Sequence, residues 1–213
     1  MNYQNFFQNR PTTEIAQDLL GRTLTYENNG EILGGLIVET EAYLGPKDYA
    51  AHSYNGRRSQ ANEGLYCPGG YLYIYAQRQY FFFDIATQER DNPEGVLVRA
   101  IEPTLGIETM IKNRAGKTGP LITNGPAKMM QAFGVTSRKW DLHPINQTPF
   151  SVDLTSRRPI KNVIAAPRIG VRQDDDWSKR PLRFYVADNP YVSDMKKTKL
   201  EKNNGWELTK NKI

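Results

Sequence analysis

The chain has 213 residues, 38% of them apolar, and a net charge of +5. That balance is ordinary for a folded soluble protein and excludes a disordered chain, and no apolar run nears the ~18 residues of a membrane-spanning helix. A single cysteine, Cys67, and two histidines, His52 and His143, cannot form an internal disulfide and under-supply a zinc site, so a reducing compartment and no metal are expected. The opening MNYQNFFQNRP lacks the charged-then-apolar order of a signal peptide, and a cytoplasmic location is expected.

The charge is uneven. Residues 194–213 carry six lysines against three acids, which leaves a net of only +2 elsewhere, so the high pI says little about nucleic acid by itself. Residues 157–183 hold eight basic side chains against Asp174, Asp175 and Asp176, which is either a phosphate-facing patch or a mixed-charge exposed surface.

In chain order, Thr12 or Thr13 caps a short amphipathic helix over residues 14–20, with Gly21 as its stop signal. Residues 22–27 and 32–43 alternate or run apolar about Asn28-Asn29-Gly30 and read as a hairpin. Residues 46–68 are polar, glycine-bearing and aperiodic, long enough to suggest a functional loop. Residues 71–86 read as a second, aromatic hairpin and 96–101 as a further strand. Helices are predicted over 106–114 and 127–133, the second after Asn124-Gly125-Pro126, and strands over 164–171 and 182–186. The expected fold is a single α+β domain over residues 1–193: a predominantly antiparallel curved sheet, flanking helices and a protruding hairpin. The lysine-rich end, residues 194–213, is expected to be frayed.

Three segments carry chemistry. On a strand, Ile37, Glu39, Glu41 and Tyr43 share a face with successive members about 6.6 Å apart. Paired acids on an apolar strand raise one carboxyl's proton affinity, as a general base or acid requires, although a wet edge strand would look the same. Downstream, His52 and Asn55-Gly56-Arg57-Arg58-Ser59 suit contacts to phosphate oxygens, or an ordinary exposed turn. In the second hairpin, Tyr71, Tyr73 and Tyr75 fall opposite Leu72 and Ile74. They form either a platform for a nucleobase, worth ~1–3 kcal/mol per stacked base, or simple cross-strand pairs.

Together these segments resemble the alkyladenine (3-methyladenine) DNA glycosylase family, from about residue 5 to 193. The resemblance is carried by Ile37-Val-Glu-Thr-Glu-Ala-Tyr-Leu-Gly-Pro46, Ala51-His52-Ser53, Tyr73-Ile-Tyr75 and Val96-Leu-Val-Arg99-Ala-Ile-Glu102-Pro103. It continues through Gly125-Pro126-Ala-Lys128, Pro167-Arg168-Ile-Gly-Val171 and Arg183-Phe-Tyr185 with Val192-Ser193. It implies a monofunctional enzyme, monomeric and without cofactor, that flips damaged purines out of duplex DNA and hydrolyses the N-glycosidic bond. By resemblance, Glu41 is the general base, assisted by Arg99 and the carbonyl of Ile169. Tyr43, His52 and Tyr75 form the base pocket, and Arg57, Ser59 and Lys128 approach the DNA backbone.

Three positions depart from the family pattern. The hairpin tip, Gln77-Arg78-Gln79, lacks the family's intercalating tyrosine, so either Arg78 or Tyr80 fills the gap left by the flipped base. Asp84 stands in place of an asparagine that excludes guanine's exocyclic amine. Its carboxylate implies looser rejection of alkylated guanines and a preference for cationic bases. Ala61 replaces a basic residue, which implies one fewer phosphate contact. The competing readings are a non-catalytic damage-binding relative and a hydrolase of free nucleosides.

Overall fold

The computed structural model describes residues 3–172, 175–195 and 203–208. Among these, the strands are β1 (Thr23–Asn28), β2 (Glu31–Tyr43), β3 (Leu72–Gln77), β4 (Tyr80–Thr87), β5 (Glu94–Leu105), β6 (Phe150–Val152), β7 (Val163–Ala166) and β8 (Arg183–Val186). They form one sheet in the order β3-β4-β5-β2-β1-β6, with β8 also on β2 and β7 on β8, and every pairing is antiparallel. The helices are α1 (Tyr3–Phe7), α2 (Thr12–Leu19), α3 (Ile107–Asn113), α4 (Pro126–Phe133) and α5 (Asp176–Lys179). The expected curled antiparallel α+β architecture is the one observed.

β2 is the hub. One edge carries β5 along most of its length, while the other carries β1 as far as Leu36 and β8 from Glu39 to Glu41. The change of neighbour coincides with two irregularities. Val38 has no partner on β5 and Arg99 none on β2, because Ile37 faces Ile101, Glu39 faces Ala100 and Thr40 faces Val98. An unpaired residue bends its strand and re-aims a side chain. Here Ile37 joins the apolar core while Glu39 and Glu41 meet Arg99.

The core lies between the sheet and helices α2 and α4, and includes Leu19, Ile37, Phe83, Met129, Phe133 and Phe150. Removing each such side chain from water contributes about 1.5–3 kcal/mol. Thr40, on β2 between the two acids, donates its hydroxyl to the Ala16 carbonyl at 2.8 Å and fixes α2 against the strand.

The aromatic hairpin divides in two. β4 pairs with β5 only from Asp84 to Thr87, so in its outer half, Tyr80 to Phe83, β3 is its only strand partner among the described residues. Period-two alternation sends Leu72, Ile74, Phe83 and Ile85 into the core, and Tyr73, Tyr75, Phe82 and Asp84 to the other side, where a cavity forms.

Two expectations are corrected. The strand predicted over 164–171 ends at Ala166, because Pro167 interrupts the ladder and the chain turns through Gly170 at φ +81°. Residues 203–208 are not frayed. Trp206 is 1% exposed and donates its indole N–H to Glu102 at 2.7 Å, with Arg158 over its ring, so one aromatic outweighs the surrounding lysines. Residues 196–202 and 209–213 lie outside the described residues.

Candidate active site

Glu41 is fully buried, yet three donors hold its carboxyl. Oε1 accepts the Ile169 backbone N–H at 2.8 Å and lies 3.2 Å from Arg99 Nη1, and Oε2 accepts the Tyr43 hydroxyl at 2.8 Å. The Ile169 carbonyl accepts from Arg99 at 3.4 Å, so this one residue touches both halves of the ion pair. Burial raises the proton affinity of Glu41, and Arg99, the Ile169 amide and the Tyr43 hydroxyl counter it. Glu39 braces Arg99 from behind. Its Oε1 accepts from Arg99 Nε and Arg183 Nη1, each at 3.0 Å, and its Oε2 accepts the Ser193 amide at 2.8 Å. Although burial opposes a charge there, Glu41 and Glu39 together keep Arg99 cationic.

A cavity of about 570 Å³ opens beside this cluster and is lined by Tyr43, Arg99 and Ile169, the three partners of Glu41. One wall is aromatic. Tyr75 stacks on Phe82 at 4.9 Å with nearly parallel planes, Tyr73 follows at 5.1 Å, and His52 meets Tyr75 edge-on at 4.8 Å. Tyr71 pairs with Pro144 instead and is not among the lining side chains. Tyr73 and His52 Nδ1 share a hydrogen bond of 2.8 Å, and partial burial with the nearby Arg57 charge lowers the His52 proton affinity. Asp84, also in the lining, is 4% exposed and forms no ion pair among the described residues. Burial, reinforced by Glu41, raises its proton affinity well above the ordinary value against the opposing Ile85 amide, which favours the protonated carboxyl.

The long polar loop folds as three single turns, Gly45–Lys47, Tyr54–Gly56 and Glu63–Tyr66. Asp48 pins its start by accepting the Leu44 and Ala50 amides and both terminal nitrogens of Arg168, at 2.6 and 2.7 Å. Arg168 in turn lies over the Tyr43 ring and donates to the Ala42 carbonyl. Asn62 pins the end of the loop. Its amide donates to the His52 and Arg57 carbonyls, and its oxygen accepts from Ser59 N and Oγ. Arg57 is thereby held by its backbone while its exposed side chain sits at the cavity mouth.

The other expected DNA-contacting residues are spread around the mouth. Gln77 lines the cavity and Arg78 caps the hairpin in the left-handed region at φ +57°. Tyr80 turns the other way, toward a shallow hollow of about 600 Å³ lined by Asn28, Asn113 and Gln131. Among the described residues, Tyr80 is the sole ionisable side chain lining that hollow. Lys128, in the first turn of α4, donates to the Asn124 carbonyl and side chain. Among the described residues, no group of three or more His, Cys, Asp or Glu side chains is placed to hold a metal ion, and no helix is long and apolar enough to cross a membrane.

Sequence reasoning assigned no role to four residues now seen around the site. Arg172 sits exposed in the cavity lining, Asp48 and Arg168 form the buried pair, and Arg183 shares Glu39 with Arg99. The surplus of positive charge over residues 157–183 was the available signal, but it does not separate the buried Arg168 from the exposed Arg172.

The model of the methylpurine-DNA glycosylase family matches residues 5–190. The chain is 63% identical over 207 residues to a protein of Lactobacillus johnsonii named "Putative 3-methyladenine DNA glycosylase", covering 97% of this chain and 100% of that one. Relatives of the same name in Latilactobacillus sakei and Staphylococcus carnosus are 48% and 44% identical, covering 94% and 90% of this chain and 95% and 93% of theirs. With the buried carboxylate, its arginine and the aromatic cavity in place, these likenesses identify the chain as a member of the methylpurine-DNA glycosylase family, hydrolases of N-glycosyl bonds.

Proposed function

We propose that the protein is a monofunctional, monomeric DNA glycosylase that flips a damaged purine out of the duplex, into the cavity beside Glu41, and leaves an abasic site. The carrying observation is that Glu41 is sealed from bulk water yet held by three donors that themselves line an aromatic slot. In this reading the base stacks between Tyr43 and Tyr75, with His52 beside it. Oε1 of Glu41 is already occupied by Ile169 and Arg99, so Oε2, which holds only Tyr43, orients the attacking water and takes its proton. The fixed negative charge also stabilises the positive charge that develops on the sugar. Among the described residues no lysine lines the cavity, which fits hydrolysis rather than a Schiff-base lyase.

Around the cavity mouth, Arg57, Ser59, Lys128 and Gln77 position the backbone without reading sequence. Arg78, at the hairpin apex, fills the gap in the stack as a planar cation, while Tyr80 is turned toward the other hollow. The test is a panel of duplex oligonucleotides, each with one modified purine, assayed for base release by the wild type. Release of at least one alkylated purine from duplex but not from the free nucleoside supports the reading. Intact glycosidic bonds across the panel overturn it.

A further inference from the structure

The register sets Glu41, Leu97, Asp84 and Tyr73 side by side on four adjacent strands, β2, β5, β4 and β3. Directly paired residues point to one face of a sheet, so all four side chains share the face on which the cavity opens. Two strand spacings place the Cα atoms of the two acids about 10 Å apart, with Leu97 between them. Asp84 and Leu97 line the cavity, and Asp84 Oδ1 is buried without a hydrogen-bond partner. Gly95 makes room for that oxygen, since a Cβ there would come within 2.6 Å of it. A buried carboxyl that lines a ligand cavity and keeps one oxygen without a hydrogen-bond partner is, in its protonated form, an available proton donor.

We propose that Asp84 is the general acid of the reaction, donating its proton to a ring nitrogen of the departing purine. This rests on the glycosylase reading above. As the C–N bond breaks, its electron pair leaves with the purine, which takes the Asp84 proton. The water oxygen bonds to the sugar carbon and its released proton goes to Glu41. A proton then returns from Glu41 to Asp84 through solvent, restoring both groups. Two carboxyls on one sheet face beside a cavity, one held by an arginine, an amide and a hydroxyl and the other with an oxygen that accepts no hydrogen bond, can divide the work of base and acid that hydrolysis of a glycosidic bond requires. The acid matters most for a neutral base. A cationic alkylpurine already carries the charge that lets it depart, whereas an uncharged purine leaves as a poor anion unless it is protonated.

The titratable groups around Asp84 are Tyr73 and Tyr75 on β3 and Glu41 on β2, the last backed by Arg99 on β5, with His52 beyond the two tyrosines. The test compares two bases that both lack an exocyclic amine at C2: N3-methyladenine, cationic, in methylated duplex DNA, and hypoxanthine, neutral, in a duplex oligonucleotide. Single-turnover release is measured against pH for wild type and Asp84→Asn. The expected result is that the substitution slows hypoxanthine release at least tenfold more than N3-methyladenine release, and removes the high-pH decline seen only with hypoxanthine. Equal slowing of both bases, or a wild type that releases N3-methyladenine but not hypoxanthine, overturns the proposal and leaves the glycosylase reading standing. A wild type that releases neither overturns both. The wild-type pH profile needs no variant, and a hypoxanthine profile without a high-pH decline overturns the proposal even if Asp84→Asn fails to fold.

Discussion

Burial alone would protonate both carboxyls on the Glu41–Leu97–Asp84 row, but their surroundings separate them. Glu41 receives an arginine, an amide and a hydroxyl, while Asp84 receives a single backbone amide and the repulsion of Glu41. The separation makes a stability prediction with a definite sign. Folded Asp84 holds its proton well above the ordinary value of 3.8, so between those limits the folded state binds more protons than the unfolded one and stability falls as pH rises. Asp84→Asn removes that loss. The variant is expected to melt above wild type near pH 7, with the difference closing as pH falls below 3.8, as thermal scans across pH would show. A slower but more stable variant is what a strained active-site group produces. At this scale the sequence disclosed the pairing of Glu39 with Glu41 through period-two alternation. It did not disclose that the proton affinity of Asp84 is raised, because that depends on its burial and on the absence of an ion-pair partner among the described residues.

At the scale of elements, the site depends on a loop, a turn and two strand irregularities. The Asp48–Arg168 pair is fully buried and joins the start of the polar loop to the turn that delivers the Ile169 amide to Glu41. Asp48→Ala would leave a guanidinium buried without its carboxylate, and a loss of about 3–5 kcal/mol is expected in urea unfolding. A loss under about 1 kcal/mol would show that water or another group replaces the carboxylate. The hairpins were legible because Asn28-Asn29-Gly30 and the alternating tyrosines are local signals, and the helices near residues 106 and 126 because glycine and proline punctuate them. The irregularities at Val38 and Arg99 were not legible. A bulge is a property of two strands and leaves no mark in either one alone. The three-residue strand β6 was missed for a similar reason, since its pairing with β1 alone defines it.

Over the whole molecule, the placement of charge matters more than its sum. The net of +5 includes a surplus in the lysine-rich end, whereas Arg57 and Arg172 are exposed at the cavity mouth. If Arg57 meets a phosphate, Arg57→Ala lowers affinity for every duplex about equally and reduces the slope of log affinity against log salt by about one. An unchanged slope in a fluorescence titration would remove Arg57 from the interface. The measurement that bears most directly on the whole account is paired binding and single-turnover release for Glu41→Gln on a duplex with one alkylated adenine. The variant should bind the damaged duplex as wild type does and release the base at least ~10²-fold more slowly. Release at the wild-type rate would contradict the assignment of Glu41 as the base that activates water.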